Sequence, residues 1–400
     1  MTVQEQWVRN LAALAVVVSA AVYTAVQGLT YPLLSVLLEE DGVSDLQIGV
    51  NTSAMPLGMM AAGAIGPGLT RRLGLFGVAV LSLSVTALCL VAIKLSAVHL
   101  TLWFGLRFLI GLAIACVFIV TDVWINGLVS PEYRGRVLGA YATAMSVGFA
   151  IGPLALALTG SEGWTPFLLG CVLVAIAVLG LCSVRKRLPV DRPAEPKAGG
   201  RQSFLRRAPV LLYFVAVVAL VEQTTFAFFH IWADNLLERE ASLLLSIMAF
   251  GSIVLAYPVG WLVDRMGSRV TVFVCAVTSA TAAYLLALVS TQTLALAITM
   301  FLFGGAYYGI YIAALALLGS RYSGALLVAG AAAFGAFWGL GGLVGPLVAG
   351  ALTDVFGRHA FPPLLGTSLV TVALLALLRR NHVVGGSDSG EASKPTQAAS

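Results

Sequence analysis

Charge is what this sequence has least of. Asp, Glu, Lys and Arg make up 10% of its 400 residues, against 59% hydrophobic residues and a mean hydropathy of +0.96. So little charge cannot furnish the surface of a water-soluble protein of this length. Histidine is scarce too, at four residues, and cysteine at five. Cys89, Cys116, Cys171, Cys182 and Cys275 all lie in apolar runs, with no Cys-x-x-Cys and no histidine at ligand spacing. They read as small packing residues and point to no redox compartment and no bound metal. Met55, Met59 and Met60 form a thioether cluster, but with no Cys or His at compatible spacing a copper site is not expected. A Gly-x-x-x-x-Gly-Lys-Ser/Thr loop is missing, which argues against ATP binding. Without a His-rich set, or a nucleophile sharing a helical face with a base, neither an enzyme nor a cofactor is expected. The net charge of +5 is spread over short segments between apolar runs, so no nucleic-acid partner is implied.

What the sequence has in abundance is long apolar stretches. A bilayer core takes about 20 apolar residues per helix, and twelve runs of that kind fall near 10–38, 47–69, 75–93, 98–121, 137–158, 165–184, 210–235, 243–263, 270–289, 293–318, 325–352 and 361–378. Lipid cannot satisfy an exposed backbone, so helices are the expected spans. The fold class is therefore an all-α polytopic membrane protein with twelve transmembrane helices. The first run is too long for a signal h-region and has no small-residue cleavage site, so it is expected to be retained.

Loop charge sets the expected orientation. With the N-terminus inside, the inner segments hold Arg9, Arg71, Arg72, Arg134, Arg136, the run Arg185 to Arg207, Arg265, Arg269, Arg321, Arg379, Arg380 and Lys394. The outer segments hold only Lys94, Arg239 and Arg358, and collect Glu39, Glu40, Asp41, Asp45, Glu162, Glu238 and Glu240. That asymmetry places both termini in the cytoplasm of a cell whose plasma membrane the chain spans.

The longest polar connection, 185–209, separates an N-terminal six-helix bundle (1–184) from a C-terminal one (210–380). It reads as a hinge or surface helix, or more simply as a solvated linker. From 381 to 400 the composition predicts a disordered tail. An internal repeat supports the division: at an offset of 193, Arg72 meets Arg265, Gly74 meets Gly267, Gly111 meets Gly304, Gly148 meets Gly341, Gly152 meets Gly345 and Pro153 meets Pro346. Near the first helices an offset of 199 matches Leu37-Leu38-Glu39 to Leu236-Leu237-Glu238, and Tyr23 to Glu222. Repeats of this kind build two parallel halves around a central cavity.

Between two of the runs, Gly260, Asp264, Arg265, Gly267 and Arg269 form a compact charged turn. Its spacing resembles the signature loop of the major facilitator superfamily of secondary transporters. The fifth run carries Gly139, Gly148, Gly152 and Pro153, similar to the pattern on the fifth helix of that superfamily's antiporters, although Leu156-Ala157 replaces its further small pair. Arg134-Gly135-Arg136 is similar to the Arg-Gly-Arg turn common in the superfamily. The resemblance implies two pseudo-symmetric six-helix bundles, a small-molecule substrate, alternating access and work as a single copy, with proton-coupled export as the reading that fits the antiporter-like helix. Uniport, import and a non-transporting sensor remain open beside it.

In the family's geometry the loop around Asp264 faces the start of the fifth helix. The partial positive charge there, with Arg134 and Arg136, makes Asp264 a candidate cytoplasmic latch, assisted by Arg265 and Arg269. The first-half copy has Arg71 where Asp belongs, so it should latch poorly or rely on Arg72 pairing with Asp122. Asp122 could equally be a proton relay or an interfacial group. Gly148, Gly152, Pro153, Gly341, Gly345 and Pro346 read as helix packing, since glycines four apart let backbones approach and Pro bends the helix.

Ionisable groups inside such runs are expensive to keep. Glu222 lies about 12 residues, or roughly 18 Å, into the seventh helix, on a face continuing through Phe226 with His230 to one side. It is either a proton-coupling or substrate group, or a neutral acid bonded to a neighbouring helix. Arg107 opens an Arg-x-x-x-Gly element ending at Gly111, which looks like that of many proton-driven facilitators. It could hold Glu222 ionised, bind an anion, or snorkel outward. Tyr23, Gln27 and Tyr31 on the first helix, and Tyr307, Tyr308 and Tyr311 on the tenth, would line a cavity for a weakly polar compound or simply bond between helices.

Overall fold

The computed structural model describes residues 3–128, 134–188, 200–234, 236–290 and 292–378, with the side chains of 3–10, 134–136, 200–203, 325 and 328 outside the description. The expected tail at 381–400 and much of the linker lie outside the described residues. Twelve α-helices follow one another: α1 Val3–Glu40, α2 Asp45–Leu95, α3 Leu100–Leu128, α4 Arg134–Thr159, α5 Thr165–Val184, α6 Gly200–Arg207, α7 Pro209–Trp232, α8 Glu238–Met266, α9 Ser268–Val289, α10 Thr293–Arg321, α11 Gly324–Phe356 and α12 Phe361–Leu378. Among the described residues, eleven are long and apolar enough to cross a membrane. The short α6 is the exception.

The second and third predicted runs are continuous in α2, a 51-residue element that turns at Gly74 with φ 70°. It makes two crossings, so the twelve expected crossings are all present. Gly267, between α8 and α9, has φ 79°. Only glycine takes that backbone without strain, which is why the two glycines recur 193 residues apart. Prolines mark helix entries at Pro166 and Pro209, where a missing N–H costs nothing. Leu158, Leu179, Leu288 and Leu378 are largely exposed. In water they would form sticky patches, whereas here they suit contact with lipid chains. Of the five cysteines Cys182 also lies on an exposed face, so its packing role is not an interior one.

Close glycine contacts set both halves. Gly111 on α3 leaves no room for a Cβ against the Met55 carbonyl of α2, and Gly304 on α10 none against the Met248 carbonyl of α8. The same holds for Gly58 against Phe108 and Gly251 against Phe301. Both pairs keep the offset of 193. Gly148 and Gly152 of α4 press on Ala21, Ala25 and Gly28 of α1, and Gly341 and Gly345 of α11 press on Ala216 and Leu220 of α7.

This contact pattern corrects the register of the first and seventh helices. Ala216 answers Ala21 and Leu220 answers Ala25, an offset of 195 rather than 199. Gln27, not Tyr23, therefore stands opposite Glu222. The Leu-Leu-Glu match that suggested 199 pairs the last turn of α1 with the start of α8, two places with different jobs.

The halves meet along α2 and α11 and along α4 and α8. On α2 the meeting face runs through Asp45, Gly49, Pro56 and Met60, and on α11 through Gly350, Pro346, Gly342 and Gly339. Continuing each stripe by one more turn reaches Gly63 and Gly335, and both face open space. The molecule is thus closed at the end bearing Glu40 and Asp45 and parted toward the end bearing the linker.

Candidate transport pathway

The closed end is tied across the halves by polar contacts. Arg358, in the short turn Arg358–Ala360 after α11, reaches Glu39 of α1 with Nη2 to Oε1 at 2.6 Å and Asp234 after α7 with Nη1 to Oδ2 at 3.2 Å. Ser161, between α4 and α5, donates to Glu238 at 3.0 Å and lies 3.4 Å from Glu40. Loop charge alone marks Glu39, Glu40, Glu238 and Arg358 only as topology signals and does not single out Asp234 or Ser161. The available signal was the crowd of acids at the ends of α1 and α7 facing a rare outer cation. Arg358 is part-exposed, so its ion pairs are worth about 0.2–1 kcal/mol. Arg358→Ala should shift the closed–open balance by only a few-fold. Spin labels at Glu162 and Arg239, in a cysteine-free background, should show a growing long-distance population; an unchanged distance distribution would mean the latch lies elsewhere.

Midway along the bundle, Glu222 of α7 is 8% exposed and accepts a hydrogen bond from Tyr307 Oη of α10 at 3.1 Å. Arg107 is 2% exposed, so it does not snorkel; it donates to Thr52 Oγ1 of α2 at 2.8 Å, and no ion pair joins it to Glu222. Its second nitrogen, Nη2, is buried without a partner, as are Gln223 Oε1 and Thr224 Oγ1. Tyr31 Oη faces Gln27 one turn away without a well-formed hydrogen bond. Such atoms are costly in an apolar interior. Arg107 Nη2 and Gln223 Oε1 are groups on which a polar ligand could bond, whereas Thr224 Oγ1 is closed in against Gly345 of α11. Gln223 and Pro56 both flank Gly342 of α11, and Pro56 is one turn from the Thr52 that holds Arg107.

Aromatic rings wall the same level. Phe149 of α4 and Phe226 of α7 meet across the halves at 4.5 Å between centroids, and Tyr307, Tyr308, Tyr311 and Trp338 form a chain of edge and tilted contacts. Tyr23 packs on Phe118 and points its hydroxyl at Met145 Sδ, 3.9 Å away. His230 is not part of this group: it bonds Ser242 of α8 at 2.9 Å, eight residues and about 12 Å up the helix from Glu222.

On the linker side, Asp122 turns inward beside the Tyr141 hydroxyl, which also bonds Thr121 at 2.9 Å. Arg72 is exposed and does not pair with it. Asp264 is exposed and makes no ion pair with a described residue. The side chains of Arg134 and Arg136, its expected partners, lie outside the described residues. Arg265 stacks on Trp261 at 4.9 Å. Arg269 donates to the carbonyls of Ala376 at 2.7 Å and Leu377 at 2.5 Å. It therefore caps the end of α12, whose last carbonyls have no helical partner, within its own half.

A buried acid and aromatic belt between two parting six-helix bundles define a membrane transporter of small molecules. The sequence pattern of the Major Facilitator Superfamily matches residues 16–237 and 212–400, and the chain belongs to that superfamily. It is 26% identical over 346 residues to the uncharacterized transporter YfkF of Bacillus subtilis, covering 82% of this chain and 85% of that one. It is 20% identical over 349 residues to Multidrug resistance protein 2 of the same organism, covering 84% and 86%. Among solved structures, the nucleoside transporter NupG superposes with a TM-score of 0.77 at 14% identity, covering 92% of this chain and 98% of that one. An inward-facing, unoccupied bacterial homologue of the human lysosomal transporter Spinster superposes at 0.68 and 14%, covering 94% and 95%. These likenesses show the fold alone.

Proposed function

We propose that this transporter is a proton-coupled exporter of a small, weakly polar organic compound. It would work as a monomer in a bacterial plasma membrane, with the linker and both termini in the cytoplasm. The observation that carries the reading is Glu222: a carboxyl buried at mid-depth, held by one tyrosine and by no cation among the described residues. Ionisable groups kept inside a membrane span are expensive and mark proton or solute pathways. Tyr23, Gln27, Arg107, Phe226, Tyr307 and Tyr311 are the contacts offered to the solute. The likeness to Multidrug resistance protein 2 supports export.

Asp264 serves as the inner latch. It makes no ion pair with a described residue while the outer ties hold, and it docks on the start of α4 when they release. A bias of about 1 kcal/mol suffices, because a two-state transporter must be poised rather than locked. The test is accumulation in proteoliposomes, with ethidium as an amphipathic probe and uridine as a polar one. Antiport predicts uptake into vesicles acidic inside. Uptake driven by acid outside would make it a symporting importer, and flux indifferent to the gradient would remove proton coupling.

A further inference from the structure

The linker, read most simply from composition as a solvated connection, contains a docked helix. Phe204 of α6 is fully buried, stacks edge-on against Tyr322 at 5.0 Å, and fills the space beside Gly330 and Phe334 of α11. This pins α6 across the linker-side ends of α10 and α11. Beneath it opens a cavity of about 190 Å³. Its rim is Arg206, Arg207 and Arg321, and its floor includes Leu211, Phe214 and Leu317. Arg206 and Arg207 end α6, and Arg321 ends α10.

Three exposed guanidinium groups share this rim, and no described carboxylate pairs with any of them. They repel one another unless an anion sits between them. The apolar floor rules against a purely hydrophilic anion, because burying Leu211, Phe214 and Leu317 under water gains nothing. A ligand matching both parts has a negative head and a hydrocarbon stem. At the margin of a membrane protein, charge and apolar contact of this kind select an anionic phospholipid.

We propose that this cavity binds the headgroup of an anionic phospholipid from the linker-side leaflet. The bound lipid bridges α6, α7 and α10. Because Phe204 also touches α11, whose other face meets α2 between the halves, an occupied cavity holds the linker-side end of α11 in place as the bundles part.

The test uses the full-length protein in a neutral detergent, with lipid adducts measured by native mass spectrometry. Wild type should bind phosphatidylglycerol at least roughly tenfold more tightly than phosphatidylcholine, and R206Q/R321Q should weaken phosphatidylglycerol binding roughly 30-fold. K186Q/R187Q, which removes the same charge from the turn Arg185–Arg187 after α5, outside the cavity lining, should change it less than about twofold. Inorganic phosphate should fail to displace the lipid, and salt should release it from wild type, since the rim is exposed to screening. The proposal is overturned if phosphatidylcholine binds equally well, if R206Q/R321Q keeps its affinity, or if K186Q/R187Q loses as much. It is also overturned if phosphate competes on equal terms, which would mark a free-anion site. The wild-type salt and phosphate measurements stand even where a variant cannot be purified.

Discussion

Glu222→Gln should bring proton-driven accumulation to unity while leaving downhill exchange of the same solute intact. With one proton exchanged per solute, a gradient of one pH unit sustains roughly tenfold accumulation, so the expected loss is the whole of that ratio. Glutamine keeps the size of the side chain and an oxygen that accepts from Tyr307, so the interior packing is retained. What it cannot do is carry a proton. The control is counterflow: vesicles loaded with unlabelled probe should exchange it for labelled probe at a rate close to wild type. Loss of both activities would mean that Glu222 holds solute or structure. Retention of accumulation would move the coupling group to Asp122, the half-buried carboxyl beside the Tyr141 hydroxyl.

How much of this was legible beforehand follows from the range over which each force acts. Twelve apolar runs specify twelve crossings, because bilayer thickness is a local constraint on each segment. Gly74 and Gly267 were legible as turn residues because a backbone with positive φ leaves so few alternatives. Partners distant in sequence were not. Tyr307 and Glu222 are 85 positions apart, and Arg107 and Thr52 are 55 apart. Nothing in either segment names the other. The offset of 199 failed for a related reason: a short Leu-Leu-Glu match carries less information than the glycines of α4 and α11, which record where α1 and α7 actually lie. An ion pair between Arg107 and Glu222, one of the roles open to Arg107 from sequence, gives way to local partners: Thr52 for the arginine and Tyr307 for the acid.

Valine at Gly304 should prevent the C-terminal half from assembling, and valine at Gly111 should do the same to the N-terminal half. At each position a Cβ would meet a backbone carbonyl of the facing helix, Met248 for Gly304 and Met55 for Gly111. A flexible side chain could turn aside, but a helix backbone can yield only by moving the whole helix. Overpacking ordinarily costs about 1–3 kcal/mol, and these sites belong at or above the top of that range. Folded yield, read as the monodisperse fraction after detergent extraction and gel filtration, should fall sharply for both. Gly63→Ala provides the contrast: its Cβ would enter open space and alanine favours the helix, so yield should hold or rise. The two valine variants must also behave alike, because Gly111 against Met55 and Gly304 against Met248 are the same contact made twice at one offset. A severe defect in one half and none in the other would mean that the duplicated glycines no longer do duplicated work, and that the symmetry of the bundles ends at their backbone.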